Sequence, residues 1–145
     1  MEVVWAMMNA SAGKRPTVEH PLVHILIVDD IQTNLRLAKA FLNGGGYQNV
    51  YLESDPFRVS EWLNSVDINL VILDLSMPQK DGISLFGELK SEFGERLPPV
   101  IFLTALHDDS WRAQAIELGA KAFITKPFDQ TKMLSCINEI LNSTT

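Results

Sequence analysis

The stretch Leu22-Val23-His24-Ile25-Leu26-Ile27-Val28-Asp29-Asp30 decides how the rest of the chain is read. A short apolar run rich in β-branched residues reads as a buried strand, and this one runs directly into two carboxylates. Three further runs end in a polar residue in the same way. Leu70-Val71-Ile72-Leu73 leads to Asp74, Val100-Ile101-Phe102-Leu103 to Thr104, and Ala122-Phe123-Ile124-Thr125 to Lys126. If these runs are parallel strands of one sheet, their carboxyl ends share one edge, where open α/β folds place their ligand sites. Three carboxylates, a hydroxyl and an ammonium then crowd into one pocket. That set suits a divalent cation and a phosphoryl group.

The organisation around the runs supports the parallel sheet. Apolar runs at 22–28, 48–52, 69–73, 98–103 and 121–125 alternate with amphipathic stretches. Ile31, Leu35, Ala38 and Leu42 recur at helical spacing, as do Met133, Ile137, Ile140 and Leu141. Asp55-Pro56 gives an N-cap followed by proline at a first helical position, and Asp129 can cap the last helix. Gly44-Gly45-Gly46 and Gly94 mark helix stops. Strands alternating with helices imply βαβ units with right-handed crossovers and helices on both faces. Residues 1–21 carry no strand or helix period and read as a flexible N-terminal tail, with the folded domain at 22–142 and a C-terminal tail at 143–145.

Composition narrows the class. A chain of 145 residues, 46% hydrophobic and 21% charged, is long enough for one packed core and too short for two ordinary domains. Its formal net charge of -6 argues against binding a nucleic-acid backbone. No run reaches the roughly 18 apolar residues of a membrane span, and the start Met1–Met8 lacks the basic region and long apolar core of a secretory signal. Cys136 is the only cysteine, which excludes an internal disulfide and fits a reducing, cytoplasmic compartment.

Taken alone, Asp29-Asp30 also reads as an acidic turn with Asp30 capping the next helix. The third element, Lys126 at the last strand end, changes that balance. Two carboxylates ~4 Å apart repel by roughly 4 kcal/mol at an effective dielectric near 20, so a cluster of three needs a cation. Mg²⁺ takes one or two carboxylates together with waters and phosphate oxygens, and Lys126 can balance the remaining charge.

Asp29-Asp30, Asp74 with Met77-Pro78 and Asp81-Gly82, Thr104-Ala105, and Lys126-Pro127-Phe128 stand in this order on successive strand ends. The combination resembles the receiver domain of bacterial two-component response regulators over about residues 22–142. The resemblance implies a flavodoxin-like, doubly wound, five-stranded parallel sheet of order 2-1-3-4-5 with five helices. It further implies a phosphorylation-controlled signalling module rather than a classical enzyme, one that assists its own phosphotransfer and dephosphorylation. Asp74 would accept a phosphoryl group from a histidine kinase or phosphotransfer protein. Asp29, Asp30, Asp74 and the backbone carbonyl of Ser76 would hold Mg²⁺. Lys126 would neutralise the transferring oxygens, and Thr104 would donate its hydroxyl to the attached phosphoryl group. Phe123 would be the switch aromatic, turning inward when Thr104 moves. A cis Lys126–Pro127 peptide is implied as well. The implied partners are the phosphodonor, a downstream effector or output domain, and a second copy through the fourth helix, fifth strand and fifth helix. No contact with nucleic acid or membrane is implied.

Other residues carry weaker signals. His107 reads as a solvated loop histidine and Trp62 as core. Trp111 reads as a partner-binding aromatic on the fourth helix or as a ring buried against the fifth strand. Cys136 reads as a small buried residue. Gly87, inside the third helix, has no evident reason to be there. Val3, Val4, Trp5, Met7 and Met8 would form a docking or dimerisation segment if the tail has a function. A haloacid-dehalogenase-like phosphatase is disfavoured, because it requires a second Asp where Ser76 stands. A binding-only version of the fold is disfavoured because the five key residues are all present, and a nucleotide-binding flavodoxin-like protein because no glycine-rich loop follows the first strand.

Overall fold

The computed structural model describes residues 18–105 and 111–143. Five strands, β1 (His24–Val28), β2 (Asn49–Glu53), β3 (Leu70–Asp74), β4 (Val100–Ala105) and β5 (Ala122–Lys126), form one sheet. All pairs are parallel and the order is β2-β1-β3-β4-β5. The expected architecture is therefore the observed one. The helices are α1 (Gln32–Gly44), α2 (Val59–Ser65), α3 (Gly82–Phe93), α4 (Arg112–Leu118) and α5 (Gln130–Ser143), with 3-10 turns at Pro56–Arg58 and Gly94–Arg96.

Alternation along the strands divides the core into two layers. Leu26, Val28, Val71, Leu73, Val100 and Phe102 face α2, α3 and α4, packing with Val59, Leu85, Phe86, Leu89 and Ala115. Ile25, Ile27, Leu70, Ile72, Ile101 and Leu103 face α1 and α5, packing with Leu35, Ala38, Leu42, Met133 and Ile137. β3 is the centre of the sheet and every one of its residues is buried. A strand covered on both faces must be apolar throughout, which makes the one carboxylate at its end conspicuous.

Helix ends follow the expected signals with two changes. Asp129 Oδ1 accepts from Lys132 N–H at 2.8 Å and Asp81 Oδ1 from Ser84 N–H at 2.8 Å. Asp55 caps as expected, but it opens the 3-10 turn at Pro56, and the α-helix begins at Val59. Asp30 does not cap α1. The N-cap position is Ile31, with no side-chain cap, and Asp29 accepts from its N–H at 2.9 Å just ahead of the helix. β4 begins at Val100 rather than residue 98, because Pro98 and Pro99 have no N–H to give a ladder.

Residues 18–21, assigned to the tail by the sequence, pack against the domain. His20 stacks on Tyr47 at 4.1 Å, and its N–H donates to the Gly46 carbonyl at 2.9 Å. Gly46 has φ +96, and a Cβ there would stand 1.9 Å from the Val18 carbonyl oxygen, so only glycine admits this approach. Residues 18–21 are thus anchored rather than tail-like. At the other end α5 runs to Ser143. The hydrophobic residues from Val3 to Met8, and His107, lie outside the described residues.

Candidate functional site

The parallel sheet delivers the polar strand ends to one edge. β1 and β3 pair through Val28–Leu73, so Asp29 and Asp74 follow in the next row. Asp74 pairs with Leu103, and Lys126 pairs with Ala105 two rows further on. A lysine side chain is long enough to reach back across that offset. Its ammonium lies 3.1 Å from Asp74 Oδ1 and 3.5 Å from Asp29 Oδ2. Asp29 is fully buried and Asp74 is 2% exposed. One ligand atom from each of Asp29, Asp30 and Asp74 lies within 4.8 Å of the others.

Two acceptors in this cluster are starved. Asp30 Oδ1 and Asp74 Oδ2 are buried with no hydrogen-bond partner. An orphaned buried carboxylate oxygen is costly, and two of them aimed into one acidic pocket fit a cation-binding site. Both oxygens of Asp29 and the other oxygen of Asp74 are supplied. Asp29 Oδ1 accepts from Ile31 N–H, Asp29 Oδ2 from the Asn34 amide at 3.1 Å, and Asp74 Oδ1 from Ser76 N–H at 3.2 Å. Burial, and then the Asp29 charge, push the Asp74 carboxyl up to about 6, against the lowering pull of Lys126. In the absence of a cation, the pocket resists ionisation of the residue at its centre.

Thr104 and Phe123 belong to the opposite face of the sheet. Phe123 pairs with Phe102 and Thr104 with Thr125, so alternation puts Thr104 one pleat beyond Phe102, on the Phe123 side. Thr104 is 3% exposed, and its hydroxyl donates to the Ala105 carbonyl at 3.2 Å rather than to the carboxylates. The Phe123 ring is half-buried. It stacks on Phe102 at 6.2 Å and lies 5.0 Å from Trp111. Trp111 is buried just ahead of α4, so of its two expected placements the structure shows burial against β5.

The β3–α3 loop is held tightly against the site. Met77 is buried while Ser76 and Pro78 are exposed. Gly82 N–H donates to the Leu75 carbonyl at 2.9 Å, closing the loop behind Asp74. The Lys126–Pro127 peptide is cis.

Two contacts at the site carry no signal in the sequence. Asn34, in the first turn of α1, reaches Asp29, and Arg112 places its guanidinium 4.9 Å from the Phe123 ring centre. Both depend on how a helix start approaches the sheet edge, which residue spacing does not reveal. Trp62, expected in the core, is only half-buried and packs at its margin, with its indole N–H donating to Glu53 Oε1 at 2.8 Å. Cys136 is half-buried, and burial raises its thiol pKa. Among the described residues, no helix is long and apolar enough to cross a membrane.

Comparison with known proteins agrees with this geometry. The sequence model of the response regulator receiver domain matches residues 25–138. The chain is 34% identical over 118 residues to protein PetR of Rhodobacter capsulatus, covering 81% of this chain and 48% of PetR. It is 32% identical over 121 residues to the aerobic respiration control protein ArcA of Escherichia coli, covering 83% and 49%. It thus spans about half the length of these curated relatives. Among solved structures, the signal receiver domain of a signal transduction histidine kinase from Syntrophus aciditrophicus superposes with a TM-score of 0.74. That domain is 32% identical, with 85% of this chain and 92% of that one covered.

Proposed function

This chain belongs to the response regulator receiver family, whose members are phosphorylation-controlled domains of two-component signalling, and from that premise we propose that Asp74 is its phosphoacceptor. The observation that carries this reading is the isolation of Asp74. It is the one charged residue on a fully buried central strand, with Lys126 3.1 Å from one oxygen and the other oxygen unpartnered.

The proposed step is transfer from a phosphohistidine on a kinase or phosphotransfer protein. An Asp74 oxygen attacks phosphorus, the P–N bond breaks, and the imidazole leaves with the bonding pair and takes up a proton. Lys126, held at the pocket by two carboxylates, offsets charge on the transferring oxygens. Asp30 Oδ1 and Asp74 Oδ2 are the acceptors best suited to a divalent cation, with Asp29 and the Ser76 carbonyl completing the set. Mg²⁺ bound there would supply positive charge to carboxylates and phosphoryl oxygens alike. The same residues would assist attack by water when the phosphoryl group is lost.

Thr104 then reads out the modification. Its hydroxyl leaves the Ala105 carbonyl for the phosphoryl group, and the Phe123 ring on the same face adjusts. The face formed by α4, β5 and α5 is the proposed contact for an effector, an output domain or a second copy, and the cytoplasm is the proposed compartment. Incubation with acetyl phosphate and Mg²⁺ should add the mass of one phosphate to the intact protein. The Asp74→Asn variant should add none, and labelling of that variant would remove the assignment.

A further inference from the structure

Asn34 bonds the acidic cluster without carrying charge. Its place is fixed by the first turn of α1, and its amide donates to Asp29 Oδ2 at 3.1 Å. Asp29 is fully buried, so bulk water cannot serve its oxygens. Oδ1 takes Ile31 N–H at 2.9 Å, which leaves Oδ2 to Asn34 and to the Lys126 ammonium at 3.5 Å. The same ammonium serves Asp74 Oδ1 at 3.1 Å. Lys126 is therefore shared between two carboxylates, and the nearer one is Asp74.

We propose that Asn34 is a positioning residue that keeps Lys126 turned toward Asp74 by satisfying the Asp29 oxygen that would otherwise claim it. Without the amide, Asp29 Oδ2 keeps a single donor, the ammonium. A buried carboxylate with one cationic partner draws that partner closer. Each step of the ammonium toward Asp29 takes it away from Asp74 and from a phosphoryl group attached there. The effect is exerted through Lys126, since Asn34 touches neither Asp74 nor the site of transfer. This inference rests on the reading of Asp74 as phosphoacceptor and of Lys126 as its charge partner.

The test compares the full chain with Asn34→Leu, Lys126→Met and the double variant, measuring three quantities. These are the rate of labelling by acetyl phosphate at saturating Mg²⁺, followed by intact mass, the Mg²⁺ affinity by calorimetry without phosphodonor, and the thermal midpoint. Asn34→Leu should label about tenfold more slowly, the scale of a lost supporting hydrogen bond at a metal site. Its Mg²⁺ affinity should fall by less than its labelling rate, which is read at saturating Mg²⁺. In the Lys126→Met background the same substitution should change the labelling rate little, because the residue it acts through is gone. An unchanged rate in Asn34→Leu, or an equal loss in both backgrounds, would overturn the proposal. So would a fall in Mg²⁺ affinity matching the fall in rate, which would make Asn34 a support for the metal site alone. A parent protein that takes no label overturns the phosphoacceptor reading itself and this inference with it. A labelled parent with an indifferent Asn34→Leu overturns only this inference.

Discussion

A Cβ on Gly82 would stand 2.7 Å from the carbonyl oxygen of Asp74. It would also meet Leu75 Cα at 2.9 Å, so both obstructing atoms belong to the backbone that carries the candidate phosphoacceptor. The glycine of the Asp81-Gly82 pair is thus needed for close approach, while Asp81 caps the helix that the glycine begins. Gly82→Ala must push the β3–α3 loop away from the pocket. It should cost about 1–3 kcal/mol in urea unfolding, the range for overpacking, and slow labelling by acetyl phosphate. Gly87→Ala supplies the contrast. A Cβ there meets nothing within 4 Å, so the helix should gain up to about 1 kcal/mol with labelling unaffected.

The Asp74 carboxyl makes stability depend on pH with a definite sign. Its folded value is raised to about 6 from 3.8, so between those values the folded state holds the proton more tightly than the unfolded chain does. Stability from this group is fully present below about pH 4 and is lost as pH rises through about 6. The loss at pH 7 is of order 3 kcal/mol, from a shift of about two units. In EDTA, Asp74→Asn should therefore be more stable than the parent by about 1–3 kcal/mol at pH 7, with little difference at pH 4. Urea titrations at the two pH values measure this, and a parent that is the more stable protein at pH 7 would contradict it.

Removing either upstream carboxylate should weaken Mg²⁺ binding, with different costs to the fold. Asp30→Asn takes a charge from a side chain whose Oδ1 has no partner, so calorimetry should show an affinity loss of about tenfold or more at nearly unchanged stability. Asp29→Leu also removes the acceptor for Ile31 N–H and Asn34. It should lower the unfolding free energy by about 1–3 kcal/mol as well, because two partly buried donors lose their acceptor.

Thr104→Ala separates modification from response. Asp74 should still accept a phosphate, since Thr104 bonds the Ala105 carbonyl and not the carboxylates. Amide exchange over residues 111–126 should change on adding beryllofluoride to the parent and stay the same in the variant, because a group shifts a two-state element only if it binds the states differently. Equal changes in both proteins would remove Thr104 from the pathway.

The sheet was legible because short apolar runs, most of them β-branched, alternate with amphipathic stretches, of which those at 31–42 and 133–141 carry a clear helical spacing. The shared edge of Asp29, Asp74, Thr104 and Lys126 followed from that, while the strand order came from the resemblance to the receiver family. That α1 begins at Ile31 without a side-chain cap, while Asp29 rather than Asp30 accepts the Ile31 N–H, was not legible, since the two aspartates are chemically identical and only the chain direction after β1 separates them. The anchoring of residues 18–21 was missed for a related reason. A stacked His20–Tyr47 pair joins segments whose sequence shows no period. Asn34 and Arg112 acquire their partners only through tertiary approach.

The rings of Phe86, Phe102, Phe123 and Trp111 form a continuous chain of aromatic contacts, from 5.3 Å between the first two to 5.0 Å between the last two. The Arg112 guanidinium lies 5.4 Å from the Trp111 ring as well as beside Phe123. The Trp111 indole thus borders both the Phe123 ring and a cation, and indole emission responds to a change in either neighbour. A displacement of Phe123 on phosphorylation, as proposed above, would therefore be read in the protein's own fluorescence.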